Sequence, residues 1–303
     1  VAGMLDGKVV AVTGAGRGIG RAVALDCAKA GAAVVVADYG VSMDGSEPSS
    51  DVAEEVVSEI KAAGGNAVAV AGDISTMENA EAVMKAALSF NGRIDGVVCV
   101  AGILRERMLF NMEEAEWDDV IRVHLRGTFT MYRQASAIMR KQEGGGSLVA
   151  FTSGVWALGS VSQPNYAAAK GGIVSFNYAA ALSLARYGVR SNVIAPVART
   201  RMSANVPSSL KEIGDAEDVS PMAVYLLSDQ SKNVTGQVYT VVGNKIAVWA
   251  QPKELRSMYT NGRWSPEEIA EHLESTVGVE ELPFMATIEA QRAAAAAGAK
   301  PNS

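Results

Sequence analysis

Cysteine, histidine and basic charge are all scarce in this chain of 303 residues, and each scarcity removes a class of function. The only two cysteines, Cys27 and Cys99, sit among apolar neighbours; they read as buried thiols in a reducing compartment, not as a disulfide framework or a nucleophile. The two histidines, His124 and His272, are too few and too far apart to converge as the three or four ligands of a zinc site. Metal-free chemistry is therefore expected. Lys and Arg number 27 against 33 Asp and Glu, a formal net charge of -6, which argues against nucleic acid as a main partner. No apolar run approaches the roughly 20 residues of a membrane span. The start of the chain lacks the pattern of a secretory leader, and Pro-Asn-Ser at its end is not a peroxisomal tripeptide, so the cytoplasm is the expected location.

Hydrophobic residues, at 49%, supply material for a sizeable core. From Lys8 to Asp38 a short β-branched run, a glycine-rich turn, an Ala-rich helical stretch and the run Ala33 to Ala37 make a β-α-β unit. The alternation continues through helices at 51–63, 77–90, 113–141, 165–187 and 216–227 and strands at 67–70, 96–100, 147–152, 190–194 and 237–242. Such alternation predicts an α/β fold of Rossmann type: a doubly wound parallel sheet in three α/β/α layers, with ligands beyond the strand C-termini. One domain is expected over 1–243. An extension over 244–290, packed on the same domain, reads as irregular from Lys245 to Trp264 and then as a helix opened by Ser265-Pro266 and running to Ser275. The Ala-rich stretch 291–303 reads as a frayed or disordered tail.

Between the first strand and helix lies Thr13-Gly14-Ala15-Gly16-Arg17-Gly18-Ile19-Gly20, in which Gly14, Gly18 and Gly20 follow G-x-x-x-G-x-G. At a helix N-terminus such a turn exposes backbone N–H groups to a pyrophosphate. Asp38, ending the second strand, is placed to accept ribose hydroxyls and to repel a 2′-phosphate, favouring NAD over NADP. Arg17 in the loop pulls the other way or points to solvent.

Tyr166 and Lys170 stand four residues apart and share one helix face. A phenol with a pKa of about 10 is a poor base near neutrality, and a nearby ammonium is expected to lower it by roughly 1–3 units. Tyr166 is then suited to take or give the proton while hydride moves to or from a cofactor. Ser153, at the end of its strand and thirteen residues before Tyr166, can hydrogen-bond the reacting oxygen. Each residue alone has a bland reading: a strand-end serine, a tyrosine beside a surface lysine.

Together, the glycine loop, Asp38, Asp73, Ser153, Tyr166 and Lys170 resemble the short-chain dehydrogenase/reductase family over about 7–243. The resemblance implies a small-molecule alcohol or ketone as substrate and a nicotinamide cofactor, with Asp73 and Ile74 near the adenine, Ala101 and Gly102 beside the cofactor, Lys170 on the nicotinamide ribose, and Pro196 and Thr200 at the nicotinamide. Arg105 after Ala101-Gly102-Ile103-Leu104, the stretch 122–127, Ile194-Ala195-Pro196 and the continuation through Trp249 are similar to the dehydrogenase portion of peroxisomal multifunctional enzymes of type 2. That subgroup oxidises (3R)-hydroxyacyl-CoA thioesters and 17β-hydroxysteroids, which makes a CoA thioester or a steroid-derived compound the expected substrate. Family members pair through the helix after Lys170, so a homodimer or homotetramer is expected.

The chain departs from the family in three places. His124 replaces an Asn that supports a proton relay from the lysine, and it reads equally as a relay member or a structural residue at a helix kink. Cys99-Val100 replaces Asn-Asn, removing their strand bonding, and Val197 stands where Gly is common. Trp156, Met202 and Trp249 read as core or as pocket lining. The competing functions are an NADPH-linked carbonyl reductase and a non-catalytic nicotinamide-binding sensor or scaffold.

Overall fold

The computed structural model describes residues 3–41, 49–199, 213–282 and 284–296. Val1–Trp249 form one compact unit and Ala250–Ser303 a second. The first is built as β1 Val9–Thr13, α1 Gly18–Lys29, β2 Ala33–Asp38, α2 Asp51–Ala62, β3 Asn66–Ala71, α3 Met77–Asn91, β4 Gly96–Cys99, α4 Glu114–Val120, a π-helical turn Ile121–Arg126, α5 Gly127–Met139, β5 Gly146–Phe151, α6 Val155–Leu158, α7 Pro164–Leu184, β6 Val189–Pro196, α8 Ala216–Leu227, β7 Val238–Val242 and β8 Lys245–Val248. The strands are ordered β3-β2-β1-β4-β5-β6-β7-β8. All pairs are parallel except the closing hairpin β7–β8.

Strands buried on both faces need continuous apolar runs rather than alternation, and Val9–Val12 and Val34–Val36 are such runs with no exposure at all. One apolar layer joins the sheet to α1, α2 and α8 through Val23, Ala53, Val56 and Leu226. The other joins it to α3, α5 and α7 through Val83, Met131, Ile173 and Val174. This is the expected three-layer, doubly wound arrangement. The order reverses between β1 and β4, so the strand ends Thr13 and Cys99 flank the crevice where such sheets hold ligands.

Two elements differ from expectation. Lys245–Val248, read as irregular, forms β8 against β7. The long helix expected over 113–141 is broken into α4, the π turn and α5. No helix among the described residues is long and apolar enough to cross a membrane.

In the second unit α9, Pro266–His272, begins at the expected cap: Ser265 Oγ accepts from Glu268 N at 3.1 Å and Glu268 returns the bond to Ser265 N at 2.8 Å. It stops three residues short of the expected end. A further helix, α10, spans Met285–Ala296, and 297–303 lie outside the described residues.

Candidate active site

The turn after β1 can only be built with glycine. Gly14 has φ +64°, and a Cβ there would lie 2.7 Å from the backbone of Ala101; at Gly20 it would lie 2.0 Å from Gly14 O. α1 then opens at Arg17 with no side-chain cap and no acidic residue in its first turn, so the N–H groups around Gly18, Ile19 and Gly20 keep their capacity for an anion. A dinucleotide fits this cradle. Arg17 turns its guanidinium toward Val41 O at 3.4 Å, beyond the end of β2.

Asp38 accepts from Gly16 N and from Gly40 N, each at 2.7 Å, which fixes the carboxylate beside the glycine loop. Each oxygen keeps a lone pair for a hydroxyl. On the neighbouring strand end, Asp73 accepts from Ser75 N at 2.9 Å and from Arg122. Burial opposes its charge, yet the Ser75 bonds and the Arg122 guanidinium outweigh burial and hold the carboxyl below its usual range. Ile74 turns inward, 7% exposed, and a Cβ at Gly127 would strike its Cδ1.

The chain leaving β4 is tied to the end of β1: Thr13 Oγ1 accepts from Val100 N at 3.2 Å and Ala101 N at 3.4 Å. Thr13 carried no sequence signal beyond ending a strand. Gly102 is packed so tightly that a Cβ there would lie 2.1 Å from Cε1 of His124.

Ser153, Tyr166 and Lys170 come together as their spacing implies. The Ser153 side chain stands near enough to the Tyr166 phenol to favour its ionised form. Lys170 Nζ lies 5.4 Å from the centre of the Tyr166 ring and donates to Phe151 O at 2.7 Å. The helix of Lys170 is locked to β5 because Thr152 Oγ1 donates to Lys170 O at 2.9 Å. The electrostatics are not those expected from spacing. Burial raises the phenol to about 12 against the lowering effect of Ser153, and Lys170, 4% exposed, is itself pushed down by burial to about 7. In the protein alone desolvation dominates both groups.

His124 lies in the π turn, 2% exposed, with its ring edge-on to Tyr166 at 5.2 Å between centroids. Nε2 meets both Ile103 N at 3.1 Å and Ile103 O at 2.8 Å. Burial, with Lys170 adding to it, pushes the imidazole down to about 3 despite the Ile103 backbone bond, so the ring is neutral at working pH. The unfolded chain therefore binds an extra proton between about pH 6.5 and 3, and His124 makes the fold lose stability as pH falls through that window. We expect His124→Asn to flatten this acid limb in melting temperatures recorded from pH 7 to 4.

Pro196 ends β6, and the next residue stays in register, Val197 N donating to Val241 O at 2.9 Å. Thr200 and Met202 lie outside the described residues. Trp156 and Trp249 pack on each other, centroids 5.3 Å apart, and Trp249 Nε1 donates to Thr240 Oγ1.

A family model described as short chain dehydrogenase matches residues 8–211. The hydroxyacyl-CoA dehydrogenase ChsB1 of Mycobacterium tuberculosis is 43% identical over 280 residues, covering 88% of this chain and 87% of that protein. The peroxisomal multifunctional enzyme type 2 of Mus musculus is 41% identical over 233 residues; the match takes in 76% of this chain but only 31% of the mouse protein. A solved short chain dehydrogenase from Mycobacterium avium is 40% identical, with a TM-score of 0.82 over 92% of this chain and 97% of that one.

Proposed function

Because the chain belongs to the short-chain dehydrogenase family, whose members act on CH–OH groups, we propose that it interconverts a secondary alcohol and a ketone on a 3-hydroxyacyl-CoA or steroid-derived substrate, with NAD as cofactor. The observation that carries this reading is the cluster of the half-buried Ser153 and Tyr166 with the buried Lys170, beside a glycine cradle that ends at Asp38. The named activity of the mycobacterial relative, matched over most of both chains, supports the substrate class.

Ser153 holds the carbinol or carbonyl oxygen, and Tyr166 exchanges the proton on it. Lys170 donates to Phe151 O and places its charge near the phenol. His124 supports Ile103 and the Tyr166 ring as a neutral imidazole. Residues Gly14, Arg17, Gly18, Ile19 and Gly20 would hold the pyrophosphate, Asp38 the adenosine ribose, Asp73 and Ile74 the adenine end, and Ala101, Gly102, Pro196 and Thr200 the nicotinamide side. When bound, the nicotinamide cofactor supplies the hydride acceptor or donor. Assembly as a homodimer or homotetramer is part of this reading, supported by the exposed Phe129 and Leu182 on α5 and α7.

The deciding experiment is NADH formation with a panel of (3R)-hydroxyacyl-CoA thioesters, 17β-hydroxysteroids and steroid-ring CoA compounds. Turnover of one class far above the others, absent in Tyr166→Phe, supports the proposal; NADH binding without turnover of any class overturns it in favour of a sensor or scaffold. Arg17 is the one observation on the side of the NADPH-linked reductase, since its guanidinium reaches the end of β2. Asp38 opposes it. A carboxylate facing a 2′-phosphate costs several kcal/mol, so NAD should be preferred by roughly 100-fold in kcat/KM, and Asp38→Asn should remove at least about tenfold of that preference.

A further inference from the structure

The first turn of α7 has an unusual cap. The N-cap residue Gln163 makes no side-chain bond to the helix; its amide is turned instead to Glu106. Ala167 N already bonds Gln163 O at 2.9 Å, but Tyr166 N belongs to the first turn and has no intrahelical carbonyl to meet. The acceptor comes from the preceding side chain: Asn165 Oδ1 takes Tyr166 N at 2.8 Å.

Asn165 is completely buried, and its amide has no spare donor. Nδ2 donates to Arg105 O at 3.0 Å and to Glu116 O at 2.9 Å. One side chain thus joins the backbone of Tyr166 to the arm after β4, which begins at Ala101 and Gly102, and to α4. Arg107 strengthens the same joint, its N–H bonding Ser162 O at 2.8 Å and its guanidinium pairing with Glu116. A fully satisfied buried amide has one low-energy orientation, because turning it would break all three bonds and strand two carbonyls.

We propose that Asn165 is a positioning residue for the reaction: it fixes the main chain under Tyr166 relative to the cofactor-side arm, and so sets where the phenol oxygen stands. The proposal rests on the proton-transfer role of Tyr166. A displacement of about 1 Å at a reacting group can cost roughly 100-fold in rate.

The test compares Asn165→Ala, which loses all three bonds, with Asn165→Asp, which keeps the acceptor for Tyr166 N and loses both donors. NADH binding is titrated by fluorescence to count competent sites, and turnover of (3R)-3-hydroxydecanoyl-CoA is expressed per site. We expect NADH Kd within about twofold of wild type, KM within about threefold, and kcat per site down about 100-fold in Asn165→Ala and about tenfold in Asn165→Asp. The proposal is overturned if kcat per site stays within threefold of wild type. It is also overturned if kcat, NADH affinity and melting temperature fall together, the mark of mere structural support. Should Asn165→Ala not fold, Asn165→Asp decides by the same criteria. Wild-type turnover in Asn165→Ala beside an inactive Tyr166→Phe rejects positioning alone, whereas an active Tyr166→Phe rejects the proton-transfer reading itself.

Discussion

Replacing Tyr166 by Phe should lower kcat for alcohol oxidation by about 1,000-fold, within the 100- to 10,000-fold range of a positioned acid or base, while NADH binds as before. The phenyl ring keeps the edge contact with His124 and the place over Lys170 Nζ, so packing changes little. What is lost is the hydroxyl, whose ionised form Ser153 favours. The measurement is NADH formation at saturating substrate together with NADH Kd for both proteins. Turnover within tenfold of wild type would take Tyr166 out of the proton path. Because burial holds the free phenol at about 12, wild-type oxidation should also accelerate with rising pH over the stable range.

Lys170→Met should raise stability while abolishing activity. The native site burdens this ammonium with desolvation, carrying it from 10.5 to about 7. At about 1.4 kcal/mol per unit, that costs the native state on the order of 3–5 kcal/mol below pH 7. The unfolded chain keeps its proton up to about 10.5 and the native chain releases it near 7, so wild-type stability rises with pH across that interval. Methionine removes the penalty but leaves Phe151 O without its donor, a loss of about 1–3 kcal/mol. The balance is a gain of about 2 kcal/mol at pH 6, or about 4–8 °C in melting temperature, shrinking to nothing or reversing toward pH 10. Melting curves of both proteins at pH 6, 8 and 10 check the sign and the trend. A variant less stable at pH 6 would show that the buried lysine is favourable in place.

The contrast between expected and found electrostatics shows what a sequence can carry. Spacing put Tyr166 and Lys170 on one helix face, and they share it. Spacing cannot report depth, and depth reverses the sign of the expected shift at the phenol. The strands were legible because parallel strands covered on both faces need unbroken runs such as Val34–Val36. β8 was not, since four residues with Ile246 and Val248 each 60% exposed leave no burial pattern to read. The π turn at Ile121–Arg126 was also hidden, because inserting one residue into a helical ladder has no compositional mark. Asn165 was missed for a third reason. Its role depends on Arg105 O and Glu116 O, 60 and 49 residues away.

The join between β1 and β4 has a further consequence, for the order of assembly. Val10 pairs with Gly96 and Thr13 with Cys99, so this seam closes a loop of more than eighty residues, whereas β1 meets β2 after about twenty. Distant pairings must meet a larger closure entropy before they gain anything in return, and they form slowly. The wall of the glycine cradle at Ala101 exists only once that seam has zipped. A nascent chain that has emerged only as far as α3 has its phosphate loop but no completed cradle, so cofactor affinity reports the late stages of folding and a cofactor stabilises only chains that have already passed them.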